Sequence, residues 1–258
     1  MNLTRVWAIV LRHIFLTRHQ MERSFDVFLF PVVGIMLWGF VSNYAGIRSP
    51  GLTAFFIGGL ILWIVFERVG TSIGVDFMFD VWERNIVNIL ASPITITEYI
   101  FGLFLVSIAK VILSFAAMWV IAGLFFGFNL GSLGTSLALL WINVVIFAVS
   151  LGIFNVAIVI RYGGTIGPLT WILPFLLQPF AAVFYPVSAL PAVLQKIVWF
   201  LPLSHVFEGM RYIIKTGKFD SGEFLASMGL NLVYFALSTC FFIYMFNSVK
   251  KKGTLVKL

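Results

Sequence analysis

A few charged side chains interrupt the long apolar stretches of this chain, and they are the residues best placed to do chemistry. Glu67 and Arg68 lie in one apolar stretch, and Lys110 lies in the next. Glu67 precedes Asp80 by 13 residues, and Lys110 follows Glu98 by 12. On helices that rise ~1.5 Å per residue, both charges would lie about 18–20 Å from the polar segment between the two stretches. We expect Glu67 and Lys110 to pair at this depth, with Arg68 competing for the carboxylate. The alternative is that Glu67 and Arg68 extend to a membrane interface.

Residues at a metal-ligating spacing are scarce. His205 and Glu208 are three residues apart, which can place two ligands on one helix face, but no second such pair accompanies them. We therefore interpret Glu208 and Arg211 as a local ion pair and predict no metal site. His13 and His19 lie among arginines and are expected to face water. The chain has no G-x-x-x-x-G-K-S/T phosphate loop, so we predict no catalytic residue and no cofactor in it.

The composition requires lipid as the main solvent. Hydrophobic residues make up 61% of the 258 positions and charged residues 10%. Soluble domains are about 45–50% apolar, even with glycine counted, and about 25% charged. The net charge of +7 comes from 17 basic and 10 acidic residues, and many of the basic residues flank the apolar stretches. This charge indicates membrane topology rather than nucleic-acid binding.

Six apolar stretches have about the ~20-residue length that a helix needs to cross the hydrocarbon core. An even number of spans places both termini on one side, and basic residues at both ends of the chain make that side cytoplasmic. We expect an all-α integral membrane protein with a single domain over residues 1–258. It would comprise an interfacial helix (1–24), a six-span bundle (25–246) and a basic tail (247–258). The predicted spans are Phe25–Asn43, Leu52–Val75, Tyr99–Phe128, Thr135–Ile160, Thr165–Phe184 and Phe224–Phe246.

The first 24 residues predict an amphipathic helix. Leu3, Trp7, Val10 and Ile14 recur at helical spacing, and the arginines lie mostly on other faces. Such a helix would lie in the inner membrane interface, with its arginines toward anionic lipid. The alternative is an ordinary basic flank of the first span.

Two longer segments between spans are the places where function could lie. In the inner segment, 76–98, apolar residues between positions 81 and 90 can form one stripe of a short helix that carries Glu83 and Arg84 and stops at Pro93. The alternative is a simple interfacial linker. The outer segment, 184–223, is cut by prolines into apolar pieces too short to span, which predicts a re-entrant hairpin followed by an amphipathic helix over 204–217.

Helix-breaking prolines fall inside the fifth predicted span. Pro168, Pro174 and Pro179 predict a kinked or broken helix there, which could move and line a pathway. Aromatic residues lie beside these breaks. In the second span, Gly70 and Gly74 have the spacing that allows two helices to approach closely.

The two longer segments carry a resemblance to a known family. WERNIVNILASPITITEYIFG (Trp82–Gly102) resembles the cytoplasmic segment of permeases of the ATP-binding-cassette type-2 exporters, in which an acidic–basic pair precedes a short helix and a proline stop. FYPVSALPAVLQKIVWFLPLSHVFEGMR (Phe184–Arg211) resembles the outer re-entrant hairpin of the same family. The order of these motifs, the number of spans and the N-terminal helix extend the resemblance over the whole chain.

The resemblance implies a permease in the cytoplasmic (inner) membrane of a bacterium. It would work as a homodimer, or as a heterodimer of similar permeases, with two cytoplasmic ATPase subunits that bind ATP and magnesium. Members of the family export drugs, lipids or polysaccharides. The residues implied to dock on the ATPase are Trp82, Glu83, Arg84, Ile86, Val87, Leu90 and Pro93. Those expected to form the gate or pathway are Phe175, Phe180, Phe184, Tyr185, Pro186, Pro191, Glu208 and Arg211.

Two other functions remain open on the sequence alone. An ion- or proton-coupled secondary transporter could use Glu67, Lys110 and Asp76, although no inverted repeat of three and three spans is evident. A membrane scaffold without transport would also fit the scarcity of polar residues, but it would leave the segment 76–98 unexplained.

Overall fold

The computed structural model describes residues 1–44 and 50–253. The last five residues of the predicted basic tail, 254–258, lie outside this part of the chain. In the described part, the chain folds into helices that are joined by short turns, except for the longer segment 178–191. They are α1 (Leu3–His19), α2 (Met21–Tyr44), α3 (Pro50–Trp82), α4 (Ile86–Ala91), α5 (Ile96–Phe126), α6 (Gly134–Tyr162), α7 (Leu169–Leu177), α8 (Ala192–Val198), α9 (Pro202–Thr216) and α10 (Ser221–Lys251).

Within the described residues, four helices are long and apolar enough to cross a membrane: α3, α5, α6 and α10. The first and fifth predicted spans correspond to shorter apolar stretches, Val27–Ser42 and Gly164–Leu177. The all-helical class of the fold is confirmed, whereas the count of six spans is not.

Prolines account for the short seventh helix. Pro168 precedes α7, Pro174 lies inside it, and Pro179 follows its end, so α7 is only nine residues long. Proline removes a backbone donor and clashes with the preceding helical turn, which ends regular helix nearby. The predicted break in the fifth stretch is therefore present, and the stretch is not a continuous spanning helix.

Local capping residues fix several helix ends. Thr95 and Glu98 form a reciprocal capping box at the start of α5, with Glu98 N donating to Thr95 Oγ1 at 3.3 Å and Thr95 N donating to Glu98 Oε2 at 3.0 Å. Asp220 accepts from the first backbone N–H groups of α10. Gly217, at a left-handed φ of 70°, ends α9.

The centre of the bundle is the crossing of α3 and α6. A Cβ placed on Gly74 would lie 2.8 Å from Asn155 Cβ, and one on Gly70 would lie 3.2 Å from Leu151 Cδ2. Asn155 Nδ2 donates to the Gly70 carbonyl at 3.3 Å. The close approach predicted from the Gly70–Gly74 spacing is confirmed, and it lets two apolar helices meet backbone against backbone.

The first helix packs along α5 in the same direction. Asn2 N donates to Glu98 Oε1 at 2.6 Å at one end, and Ile9 fills the space over Gly102 further along. The face of α1 that contains Ile9 and His13 is buried, while a second apolar face that includes Trp7 is exposed. The prediction that His13 faces water is wrong, because α1 has apolar residues on two sides and His13 lies on the side that packs against the bundle.

Candidate functional site

The inner segment starts later than the sequence predicted. α3 continues past Val75 to Trp82, because side chains such as Met78 and Val81 are buried against neighbouring helices and keep this part of the helix inside the bundle. Glu83 and Arg84 therefore lie in the turn after α3, and not on the short helix that was expected to carry them. Arg84 adopts a left-handed φ of 55°, which turns the chain sharply into α4.

One face of the short helix α4 is buried in the protein. Ile86 and Ile89 belong to a buried hydrophobic cluster, and Leu90 is partly buried against that cluster. Val87 points outward with 36% of its surface exposed. Pro93 lies exposed two residues beyond the helix end. Of the residues implied to dock on an ATPase, those exposed are Glu83, Arg84, Val87 and Pro93, together with part of Trp82.

Trp82 joins the end of α3 to the loop before α7. Its indole Nε1 donates to the Gly164 carbonyl at 3.0 Å, and its ring lies 6.1 Å from the ring of Trp171 in α7. A Cβ on Gly164 would come within 2.4 Å of the indole, so this contact needs glycine there. The side chain remains 46% exposed.

Asp80 is the centre of a buried polar cluster that ties three helices together. Arg12 of α1 donates to both carboxylate oxygens, at 2.9 Å and 2.5 Å. Tyr99 of α5 donates its hydroxyl to Asp80 Oδ2. His13 Nε2 lies 3.6 Å from the same oxygen. These contacts supply the partners that a buried carboxylate needs.

Asp76, one helical turn before Asp80, holds a second set of partners. Lys110 Nζ of α5 donates to its two oxygens at 2.8 Å and 3.1 Å, and Arg23 Nη1 of α2 donates to Oδ1 at 3.1 Å. Arg23 Nη2 also lies 3.4 Å from Glu83 Oε1, in the turn after α3. The start of α2, the middle of α5 and the end of α3 are thus linked through Asp76.

The structure does not bring Glu67 and Lys110 together. The ammonium of Lys110 pairs with Asp76, and Glu67 Oε1 lies 3.5 Å from Arg68 Nη2. The depth estimate counted Glu67 from Asp80 and Lys110 from Glu98 and took the two charges to lie level on the two helices, but the Lys110 ammonium meets α3 at Asp76, nine residues closer to the end of that helix than Glu67. The expected competing contact, between Glu67 and Arg68, is present.

Most of this cluster was not predicted from the sequence. Asp76 and Asp80 are four residues apart and therefore lie on one face of a helix, and this signal could have been read as a need for two cations. Nothing in the local sequence, however, identifies Arg12 and Arg23 as those cations. Ser72, in the stretch Gly70-Thr71-Ser72-Ile73-Gly74, matches a hydrolase G-x-S-x-G pattern, but it lies inside α3 rather than on a strand-to-helix turn.

A cavity of about 310 Å³ opens beside the cluster. Its polar wall is formed by Arg23, Asp76 and Lys110, with Ser72. The rest of the lining is mostly aromatic and comes from α2, α3 and α7: Phe30, Phe79, Trp82 and Trp171, with Val75. The cavity therefore lies between the two shorter apolar helices and the end of α3.

On the opposite half of the bundle, Glu208 and Arg211 brace the outer segment. The predicted local ion pair is confirmed, with Arg211 Nη2 2.9 Å from Glu208 Oε1. Glu208 also accepts from the backbone N–H of Val187 at 2.7 Å, and Arg211 Nη1 donates to the Ala182 carbonyl at 2.8 Å. Ala182 has a φ of 54°, unusual for a residue with a Cβ. Helix α9 therefore holds the turns after α7 in place.

The aromatic residues assigned to the pathway do not form one cluster. Phe184 stacks on Trp38 of α2, with ring centroids 5.0 Å apart. Tyr185 donates its hydroxyl to the Pro179 carbonyl. Phe175 and Phe180 are exposed on the outside of the described chain.

The outer hairpin consists of short pieces set by prolines. Pro186 precedes a single turn at Val187–Ala189, and Pro191 caps the start of α8. The amphipathic helix predicted over 204–217 is present as α9.

His205 and Glu208 point to different partners. His205 Nδ1 lies 2.6 Å from Glu223 Oε2, and its Nε2 lies 2.7 Å from the Trp199 carbonyl. Because Glu208 is held by Arg211 and Val187, the two side chains do not converge as a pair of metal ligands. His205 instead fastens α9 to the end of the outer hairpin and to the start of α10.

The comparisons with known proteins identify the family. A search among curated proteins found none that matches the chain. The family model described as ABC-2 type transporter matches residues 4–215, which include all of α1 except Leu3, the α3–α4 turn, the polar cluster and the outer hairpin. The membrane helices, the turn with its exposed surface and this match lead to one conclusion: the chain belongs to the ABC-2 type transporter family and is the membrane subunit of an ABC transporter, and this membership implies an ABC ATPase as its partner.

Proposed function

We propose that this chain is the permease of an ATP-driven exporter and that its ATPase docks on the exposed surface of the α3–α4 turn and α4. The exporter carries an amphipathic, lipid-linked or polysaccharide substrate out of the cytoplasm. It works as a homodimer with two ATPase copies in the inner membrane of a bacterium, with both termini cytoplasmic. The partner chains bind ATP and magnesium.

The observation that carries this proposal is the pair of connections made by the α3–α4 turn. Trp82 bonds to the Gly164 carbonyl before α7, and Glu83 contacts Arg23 at the start of α2. Both residues belong to a segment whose neighbours Arg84 and Val87 are exposed. A partner that displaces this turn would pull on α2 and α7 together, since rigid elements transmit a shift through packed contacts.

The substrate pathway follows from the same connections. The cavity of about 310 Å³ is lined by Phe30 of α2, Trp171 of α7 and Trp82. Movement of the turn would change its shape, so we assign it to the inner entrance of the pathway. Glu208 and Arg211 hold the turns at the outer end and act as its gate, with Phe184 packed on α2.

An ion-coupled carrier has less support. Such a carrier needs a buried group that exchanges ions with water, whereas the Asp76 carboxylate is held by Lys110 and Arg23. Membership of the ABC-2 family also favours ATP as the energy source.

Co-purification tests where the ATPase docks. The full-length protein is purified in mild detergent from its host as wild type, Val87→Asp and Val193→Asp. Val193 is an equally small exposed residue, at the outer hairpin, and serves as the matched control. We expect an ABC ATPase chain to accompany the wild type and the control, and to be lost from Val87→Asp, because a charge would face an apolar contact. Equal recovery with all three proteins would contradict docking at α4.

A second variant separates docking from transmission. Trp82→Phe keeps an aromatic ring but removes the hydrogen bond to Gly164. We expect this variant to retain the ATPase but to lose the nucleotide-dependent change in distance between spin labels on α4 and α7. An unchanged distance response would contradict the transmission route and leave the docking site standing.

A further inference from the structure

A second cavity, of about 350 Å³, lies where α1, α2 and α5 meet. Its wall is nearly all apolar and includes Ile14 of α1, Phe28 of α2, and Val106, Ala109 and Leu113 of α5. The helices around it are fixed by a buried hydrogen bond, in which Ser114 Oγ of α5 donates to the Val27 carbonyl of α2 at 2.5 Å. The cavity is therefore built into the fold, and its size is in the range of ligand sites.

The open side of this cavity faces the apolar outer surface of the bundle. Leu113 is 53% exposed, and the neighbouring Ile112 and the later Val120 of α5 continue the exposed apolar surface. α5 is one of the helices long enough to cross a membrane. An occupant of the cavity would therefore contact hydrocarbon rather than water.

Among the cations that line this cavity, Arg18 is the one for which the described residues supply no carboxylate. Arg18, near the end of α1, is exposed, and among the described side chains no carboxylate pairs with it. Arg12 and Arg23 on either side of it in the chain are both paired, with Asp80 and Asp76. Lys110 also lines the cavity, but its ammonium is held by Asp76. Arg18 is thus available for an anion from outside the protein.

We propose that this cavity binds one anionic glycerophospholipid, with the phosphate on Arg18 and an acyl chain against Phe28, Ala109 and Leu113. An apolar cavity open to hydrocarbon, with the exposed Arg18 guanidinium at its wall and no described carboxylate on it, matches a molecule that has an acyl chain and a negative headgroup. The bound lipid fills the angle between α1 and α2, and so fixes the α1 helix against the bundle. This site is independent of the proposed export function.

Native mass spectrometry of the full-length protein, purified from membranes in detergent, tests the proposal. Arg18→Gln removes the charge, and Lys251→Gln removes an exposed cation at the end of α10 as its control. Ala109→Phe fills the cavity, and Ala116→Phe adds the same ring to an exposed position two turns further along α5. The wild type and both controls should retain one phosphatidylglycerol per chain in preference to phosphatidylcholine. We expect Arg18→Gln to lower the retained fraction about fivefold, the effect of one basic residue at an anionic surface.

Loss of the lipid from both Arg18→Gln and Ala109→Phe, with retention by both controls, supports the site. Equal retention of phosphatidylcholine, or retention unchanged in Ala109→Phe, overturns it. Stabilisation of the wild type against heat by vesicles containing phosphatidylglycerol, but not by glycerol phosphate in solution, identifies the lipid rather than a free phosphate as the ligand. The reverse result overturns the proposal.

Discussion

Arg12 and Asp80, 68 positions apart in the sequence, form a two-point ion pair inside the protein, with Nη1 2.9 Å from Oδ2 and Nη2 2.5 Å from Oδ1. The Asp80 side chain has no exposed surface, and Tyr99 donates to it as well. Burial acts against the charged form of Arg12, but the hydrogen bonds and charge of Asp80 outweigh it, and the pKa of the guanidinium is raised. This single carboxylate fastens α1 to α3 and α5.

Arg12→Ala should destabilise the protein strongly. It leaves the Asp80 carboxylate buried without its main cation, a change that typically costs about 3–5 kcal/mol. The loss is measured as a fall in the apparent melting temperature in detergent. Arg5→Ala is the control, because Arg5 Nη1 lies 3.8 Å from Glu98 and its side chain is 38% exposed. An equal fall in melting temperature for the two variants would show that the Arg12–Asp80 pair stabilises the protein no more than the Arg5–Glu98 contact does.

Double-mutant cycles should identify Asp76, and not Glu67, as the partner of Lys110. Lys110→Met and Asp76→Asn remove a contact at 2.8 Å, and residues in contact show coupling energies of about 0.5–3 kcal/mol. Lys110→Met and Glu67→Gln should instead be additive to within about 0.5 kcal/mol. Each cycle requires the free energy of unfolding, measured in urea or by heating, for the wild type, the two single variants and the double variant. Coupling to Glu67 in place of Asp76 would refute the observed pairing.

Gly74→Ala should lower stability, because the new Cβ would lie 2.8 Å from Asn155 Cβ at the crossing of α3 and α6. Overpacking of this kind costs about 1–3 kcal/mol. Gly229→Ala in α10 makes the same change where no atom lies within 4 Å, and should raise stability by about 0.5–1 kcal/mol through helix propensity. The two melting temperatures are expected to move in opposite directions. A shift of both in the same direction would be inconsistent with a tight crossing.

Glu208→Gln should loosen the outer hairpin while the rest of the bundle stays folded. The change weakens the ion pair with Arg211 and the bond from Val187 N, and charge-assisted hydrogen bonds contribute about 1.5–3 kcal/mol. Hydrogen–deuterium exchange should rise in peptides that cover Val187–Ala189. Lys218→Gln, an exposed charge at the same end of the molecule, serves as the comparison. Unchanged exchange at Val187–Ala189 would exclude the bracing role.

Several parts of the structure were predictable because they depend on neighbouring residues. The all-helical class follows from the composition, the break in the fifth stretch from its prolines, and the close crossing from the spacing of Gly70 and Gly74. The amphipathic helix α9 and the Glu208–Arg211 pair follow from the i, i+3 geometry of one helix. Each of these depends on a local rule of backbone sterics or helix periodicity.

A helical membrane protein that resembles the ABC-2 permeases, with an exposed segment near Glu83 and a broken stretch near Pro174, was predictable from the order of the amino acids. Which charges meet was not, because it depends on how the helices pack. Arg12, Arg23 and Lys110 come from three different helices, and their pairing with Asp80 and Asp76 depends on how far α3 extends and on how α1 packs along α5. Helix periodicity fixes the face on which a charge lies, but the energy of a buried ion pair depends on distances between helices, which no local pattern encodes.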